Sequence, residues 1–198
     1  MTYLSYCGIG SRETPAVTLK VMRYIAAHLA SEGWTLRSGA APGADSAFEQ
    51  GVDDHIVSTF GKPESYKEIY LPWFNFNGSN SKLHPGLIPF TAQELSLAEN
   101  THPAWHRCSP SARRMHTRNV RQILGCEAVN GPTVTPVKFV ICWTEGAKMK
   151  GGTAQALRIA QSCEIPIINL GFAKDANELE KMVLQIDALQ AQFKEQYA

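Results

Sequence analysis

The stretch VKFVICW at residues 137–143, followed by TEGAKMKGGT at residues 144–153, decides the fold of this chain. Its first seven residues form the most apolar run of the sequence, which is typical of a strand buried on both faces of a parallel sheet. Lys150-Gly151-Gly152-Thr153 then predicts the beginning of a helix that continues to about Ser162. A buried strand that leads through a glycine-rich loop into a helix is the repeating unit of α/β proteins.

Apolar runs and amphipathic stretches alternate outward from this unit along the whole chain. Further strands are predicted at Tyr3–Ile9, Trp34–Arg37, Glu68–Leu71 and Ile165–Leu170, and helices at Thr14–Ser31, Asp45–Val57, Ala92–Asn100, Pro110–Leu124 and Asp175–Gln196. Thr14 followed by Pro15 predicts a helix start with a capping hydroxyl and a proline in the first turn. The alternation predicts one Rossmann-like α/β domain over residues 1–198, with a mostly parallel sheet and helices on both faces.

The segment of residues 72–91 has no periodicity and is rich in Asn, Gly, Ser and Pro. We therefore predict a long exposed loop there. Long loops in compact domains are often functional, so this one is either a lid over a site or a disordered insertion.

The composition limits the class of partner and the compartment. The 198 residues carry 19 Lys and Arg against 18 Asp and Glu, which argues against broad, sequence-independent binding to nucleic acid. The 5 cysteines are scattered and odd in number, so we expect reduced thiols rather than a disulfide framework. Neither a signal peptide nor a membrane span is visible, and we expect a cytoplasmic protein without a membrane partner.

Three glycine-rich loops follow predicted strands, at residues 8–15, 38–45 and 144–153. Glycine lets the backbone approach a ligand, and free N–H groups at a helix N-terminus favour an anion such as phosphate. The predicted phosphate-binding residues in these loops are Gly10, Ser11, Arg12, Ser38, Gly39, Gly43, Gly151, Gly152 and Thr153. Each loop could instead be only a tight strand-to-helix turn. Neither standard nucleotide fingerprint, GxxxxGK[ST] or GxGxxG with an acidic ribose partner, is present.

The segment SARRMHTRN at residues 111–119 adds a basic element. On a helix Arg114 and Arg118 are four residues apart and share a face. They form either a solvated basic face or a clamp for phosphate, and the neighbouring anion-friendly loops favour the clamp.

These motifs together resemble the SLOG superfamily, a Rossmann-like group that contains LOG phosphoribohydrolases and the DprA and YspA proteins. MHTRN at residues 115–119 resembles the MHxRK motif of LOG enzymes, and KGGT at residues 150–153 resembles their PGGxGTxxE loop. GSR at residues 10–12 and SGAAPGAD at residues 38–45 resemble the signatures of DprA and YspA relatives. The resemblance covers roughly residues 3–170 and implies a homodimer, because LOG-like proteins commonly pair.

The resemblance implies cleavage of the N-glycosidic bond of nucleoside 5′-monophosphates, with Arg118 in the place of the LOG arginine. Two positions depart from the pattern, since Gln155 stands near the expected glutamate and Asn119 replaces the lysine. An amide can orient a ligand but cannot transfer a proton as a carboxylate does. Three other carboxylates are candidates for that role: Glu13, Asp45 and Glu145.

Binding of a nucleotide or nucleotide-derived small ligand is therefore the first hypothesis, with Gln155 as an additional orienting group. A phosphoribohydrolase is the second. The third is a DprA-like protein that binds single-stranded DNA, with stacking on aromatic residues such as Trp73, Phe74, Phe76 and Trp105.

No cofactor and no metal ion are predicted. His102, His106 and Cys108 would offer zinc ligands if residues 102–108 formed a helix, but Pro103 interrupts that pattern and no fourth ligand is evident. His116, inside the arginine segment, is either a structural histidine or part of the site.

Overall fold

Within residues 4–60, 66–132 and 134–197, which the computed structural model describes, five strands pair into one parallel sheet. The strands are β1 (Ser5–Gly10), β2 (Thr35–Ser38), β3 (Lys67–Ile69), β4 (Val140–Trp143) and β5 (Ile167–Asn169). Their order across the sheet is β3-β2-β1-β4-β5. This arrangement confirms the predicted Rossmann-like α/β fold. Tyr3, predicted to begin the first strand, lies outside the described residues.

The helices on the two faces agree closely with the predicted pattern. They are α1 (Ala16–Ser31), α2 (Ala44–Thr59), α3 (Ala92–Asn100), α4 (Pro110–Leu124), α5 (Glu127–Asn130), α6 (Gly151–Ser162) and α7 (Ala176–Tyr197). The bounds of α3 and α4 are those predicted, because Thr91 forms a capping box with Glu94 and Ser109 caps α4 ahead of its proline. The short helix α5 was not predicted.

The strands differ in length from the apolar runs because pairing, rather than hydropathy, sets their ends. β1 and β2 extend into the glycine motifs, where Gly10 pairs with Trp143 and Ser38 pairs with Ile69. β4 begins three residues later than predicted, and the Val137 N–H donates to the carbonyl of Ile123 in α4 rather than to a neighbouring strand.

Alternating strand residues supply a separate core for each face of the sheet. Tyr6 and Phe139 pack on one face, which α7 covers through Leu179 and Ile186. Cys7 and Cys142 are buried on the other face. These two cysteines thus behave as small apolar residues.

The segment of residues 72–91 is irregular, as predicted, except for a 3-10 turn at Phe76–Gly78, but it is not exposed throughout. Phe76 is buried and packs with the partly buried Trp73. Arg121 of α4 donates to the carbonyls of Ile88 and Pro89 at 2.8 and 2.7 Å and so fastens the end of the segment.

The order of the strands positions the site. β1 lies between β2 and β4, so the chain winds outward in one direction through β3 and then in the other through β5. The loops after β1 and β4 therefore diverge, and ligands of open α/β sheets bind in the crevice at such a switch point. No helix among the described residues combines the length and hydropathy required to span a bilayer.

Candidate functional site

A cavity of about 780 Å³ opens at the switch point, beyond the carboxyl ends of β1 and β4. The β1–α1 loop and the β4–α6 loop form two of its walls, and α4 forms a third. Twelve residues of the first and third predicted loops line it: Ile9, Gly10, Ser11, Arg12, Glu13, Thr144, Glu145, Lys148, Lys150, Gly151, Gly152 and Thr153. The volume is within the range of small-ligand pockets.

The β1–α1 loop is held in a fixed turn by its own polar groups. The Ser11 N–H donates to the carbonyl of Trp143 on β4, and the Ser11 Oγ accepts from the Glu13 N–H at 3.1 Å. The Thr14 Oγ1 donates to the Ser11 carbonyl at 2.8 Å. The prediction that Thr14 caps α1 is therefore wrong, because its hydroxyl closes this turn instead.

The β4–α6 loop is anchored at its beginning and open at its end. Asn169 fixes Thr144 through two hydrogen bonds, of 3.1 and 2.8 Å. α6 begins at Gly151 with no side-chain cap among the described residues. A Cβ added at Gly152 would meet no heavy atom from any other part of the described chain within 4 Å, so the backbone of Gly152 borders open space.

The β2–α2 loop, in contrast, is filled by the protein itself. Arg118 of α4 reaches across and donates through Nη1 to the carbonyls of Gly39 at 2.5 Å and Tyr70 at 3.2 Å. A Cβ at Gly39 would lie 1.5 Å from that nitrogen, which explains the glycine. Gly43, at φ +87°, packs against the Ser11 carbonyl, and the Ser38 Oγ donates to the carbonyl of Gly8. From this loop Ala41 and, at the start of α2, Asp45 line the cavity.

Two carboxyl groups lie one helical turn apart at the start of α2. Burial raises the pKa of Asp45 to about 6, although Arg118 and the backbone N–H groups of Ala41, Gly10 and Gly39 act to lower it. Burial and then the charge of Asp45 raise the pKa of Glu49 to about 7. These shifts indicate carboxyls that can hold a proton near neutral pH.

Arg118 is almost completely buried, with 6% of its surface exposed. Burial lowers the pKa of its guanidinium, an effect that Asp45 opposes. Its Nε has no hydrogen-bond partner among the described residues, and the group lies 5.9 Å from the centre of the Phe76 ring. Arg118 therefore lines the cavity while its Nη1 holds the neighbouring loop together.

Gln155 and Asn119, the two departures from the LOG pattern, form a buried network. The Asn119 Nδ2 donates to the Gln155 Oε1 at 2.9 Å and to the Gly152 carbonyl at 3.2 Å. The Gln155 Nε2 donates to the Thr101 Oγ1 at 3.0 Å. Gln155 is fully buried outside the cavity lining, so it joins α6 to α3 and α4.

The structure brings most of the predicted site residues together and leaves some apart. Arg118 lines the cavity together with the β1–α1 loop and the β4–α6 loop. The three carboxyl candidates also line it: Glu13, Asp45 and Glu145. Arg114 is exposed and lies outside the lining, so it does not pair with Arg118 over the cavity. Three residues lie outside the lining and support the residues that form it: Ser38, Gly39 and Gly43.

Several lining residues were missed by sequence reasoning. They are Met115, Lys148, Lys150 and Arg158. His116, left open as structural or part of the site, also lines the cavity, as do Phe76 and His102, which were considered only for stacking on single-stranded DNA and for zinc. The two lysines lie within the third glycine-rich loop, and Glu49, which lies behind the lining, follows Asp45 at helical spacing. Local signals therefore existed for these three residues. Phe76 and His102 reach the site only through long-range packing, for which the sequence holds no local signal.

The charge of the cavity wall is positive despite the neutral balance of the chain. Five basic side chains, Arg12, Arg118, Lys148, Lys150 and Arg158, line it against three acidic ones, Glu13, Asp45 and Glu145. Because the pKa of Asp45 is raised to about 6, that carboxyl is the one closest to neutral. A wall of this charge attracts anions.

Comparison of the chain with protein-family models, with curated proteins and with solved structures finds no match.

Proposed function

We propose that this protein binds a nucleotide or a nucleotide-derived ligand through its phosphate groups in the switch-point cavity. The observation that carries the proposal is the open, uncapped N-terminus of α6 at Gly151 and Gly152, facing a cavity with an excess of basic side chains. Free N–H groups and the helix dipole bind anions there, and Lys148, Lys150 and Arg12 add charge.

The rest of the cavity suits the apolar part of such a ligand. Ile9, Phe76 and Met115 contribute apolar surface to the lining. A planar base can pack on aromatic and aliphatic groups while its edge takes hydrogen bonds from polar neighbours, and Thr144 and Gln122 line the same space. The resemblance of the four motifs to the SLOG superfamily supports the same class of ligand.

Arg118 acts in this proposal as a positioning residue. Its Nη1 bonds to Gly39 and Tyr70 hold the β2–α2 loop against α4, and this fixes Asp45 beside the cavity. Phosphate binding then depends mainly on the β1–α1 loop and the β4–α6 loop.

Gly152→Asp tests the proposal directly, with Gly152→Ala as the matched control. Both substitutions fit, because the new Cβ would meet no heavy atom from any other part of the described chain within 4 Å. The carboxylate should abolish the rise in melting temperature that a nucleotide produces in the parent protein, whereas alanine should preserve it. If no nucleotide in a panel of mono-, di- and cyclic nucleotides and nucleotide sugars raises the melting temperature of the parent, the proposal fails.

A second candidate function, a nucleotide N-glycosidase, is favoured by one observation. Asp45 lines the cavity with a pKa raised to about 6, which suits a carboxyl that donates or accepts a proton in glycosidic bond cleavage. Incubation with nucleoside 5′-monophosphates should release free base, and Asp45→Asn should stop the release without loss of nucleotide binding. If nucleotides bind but none of them releases its base, the N-glycosidase function is rejected and only the binding function remains.

A further inference from the structure

A second group of reactive side chains lies at the rim of the cavity, where α3 leads into α4. His102 follows the end of α3, Cys108 precedes α4, and His116 lies in its second turn. One potential ligand atom from each lies within 4.8 Å of the other two. The Cys108 Sγ is 3.7 Å from the Nδ1 and 3.8 Å from the Nε2 of His102, and the two imidazole rings are 4.3 Å apart.

The local backbone explains why these three meet and why His106 does not join them. The chain turns at Pro103 and forms a 3-10 turn at Trp105–Arg107, so residues 102–108 are not the continuous helix that would place His102 and His106 on one face. His106 is exposed on this turn. Cys108 is folded back toward His102 by its N–H bond to the carbonyl of Trp105.

We propose that His102, Cys108 and His116 form a binding site for a transition-metal ion of the zinc class. Imidazole nitrogen and thiolate sulfur are both zinc ligands, and zinc sites with three protein ligands keep an open fourth position. The site differs from the one considered in the sequence by the exchange of His106 for His116, which is distant in sequence and adjacent in space.

A second, independent observation at the same place supports a ligand. The Nδ1 of His116 is buried and has no hydrogen-bond partner within the described part of the chain. A buried polar atom without a partner costs free energy, and coordination of a cation would satisfy it. The contacts of Cys108, at 3.7 and 3.8 Å to His102 and 3.7 Å to the carbonyl of Ala104, are at the long end for hydrogen bonds to sulfur.

The position of the cluster indicates what the fourth ligand would be. His102 and His116 both line the cavity, whereas Cys108 does not. An ion held by these three would therefore have its remaining position toward the cavity, available to water or to an oxygen of a bound anion. Metal binding at this site does not require that the cavity binds a nucleotide.

Cobalt(II) titration of the EDTA-treated full-length protein tests the site without any nucleotide. The parent should bind one equivalent and develop a near-ultraviolet sulfur-to-cobalt charge-transfer band, which added Zn²⁺ should remove. Loss of a group that merely supports a ligand lowers metal affinity by roughly 10- to 100-fold. Cys108→Ser and His102→Ala should therefore each weaken binding at least about tenfold, and Cys108→Ser should also abolish the band.

Matched controls are provided by Cys163, an exposed thiol, and by His106. Cys163→Ser and His106→Ala should retain the band and the affinity. Circular dichroism of each metal-free variant establishes that it is folded, and His116→Asn provides a third ligand variant if His102→Ala does not fold. The proposal is overturned if the parent shows no charge-transfer band, or if Cys163→Ser removes the band and Cys108→Ser does not.

Discussion

The β4–α6 loop and the β2–α2 loop are both glycine-rich and both lead from a parallel strand into a helix, yet they differ in what occupies them. The first ends in an open helix N-terminus at Gly152, with free space beside the backbone. The second is occupied by Arg118, and at Gly39 a Cβ would collide with that side chain. Glycine therefore leaves room for a ligand in one loop and room for a buried arginine in the other.

Gly39→Ala should have the largest effect, which is a loss of stability. The new Cβ would lie 1.5 Å from the Arg118 Nη1 and 2.6 Å from the Gln122 Nε2. Arg118 would have to leave the carbonyls of Gly39 and Tyr70, so we expect a loss of at least about 3 kcal/mol in the free energy of unfolding, measured by urea denaturation.

Gly152→Ala is the corresponding change in the open loop. It should leave stability unchanged or raise it by up to about 1 kcal/mol, because alanine is the better helix former. Equal losses in the two variants would show that the loops do not differ in the way described.

Arg118→Met should have the next largest effect. The methionine retains apolar length, but two buried carbonyls lose their donor and Asp45 loses the cation that offsets its burial. We expect a loss of about 2 to 3 kcal/mol in the free energy of unfolding. Arg12→Ala, at an exposed position in the open part of the site, should cost less than about 0.5 kcal/mol. Similar losses in both would contradict a structural role specific to Arg118.

Asp45→Asn should stabilise the protein at alkaline pH and not at acid pH. The folded-state pKa of about 6 lies above the ordinary 3.8, so between these values the folded protein binds a proton that the unfolded chain releases. The free energy of unfolding therefore falls as pH rises through this window. Asparagine resembles the protonated acid and removes this loss, with a gain of about 2 kcal/mol at pH ~8 and almost none at pH ~4.

Urea denaturation at both pH values measures this difference. Glu180→Gln, at an exposed position of α7, is the control and should change stability equally little at both. A loss of stability in Asp45→Asn at alkaline pH would mean that the carboxylate is favoured, rather than opposed, by its surroundings.

The sequence was sufficient for the sheet, the helices α3 and α4 and the presence of three glycine-rich loops, because these depend on periodicity, capping residues and turn residues within short windows. The sequence did not show which of these loops is open and which is filled by a side chain. The partner of Gly39 is Arg118, 79 residues away, and nothing near Gly39 indicates it. The same limit applies to His102 and His116, which meet only because the chain turns back between α3 and α4.

Arg114→Ala should have the smallest effect of these substitutions, and its effect should be on ligand binding. Helical spacing predicted that Arg114 and Arg118 share a face, for which a phosphate clamp was one of two interpretations, but Arg114 is exposed and outside the cavity lining. Its removal should change nucleotide affinity by less than about twofold, whereas Arg12→Ala should weaken it about tenfold, equivalent to about 1.4 kcal/mol. Calorimetric titration of the two variants with one nucleotide measures both values. If Arg114→Ala weakens binding as much as Arg12→Ala, phosphate is bound along the outer surface of α4 rather than between the β1–α1 loop and the β4–α6 loop.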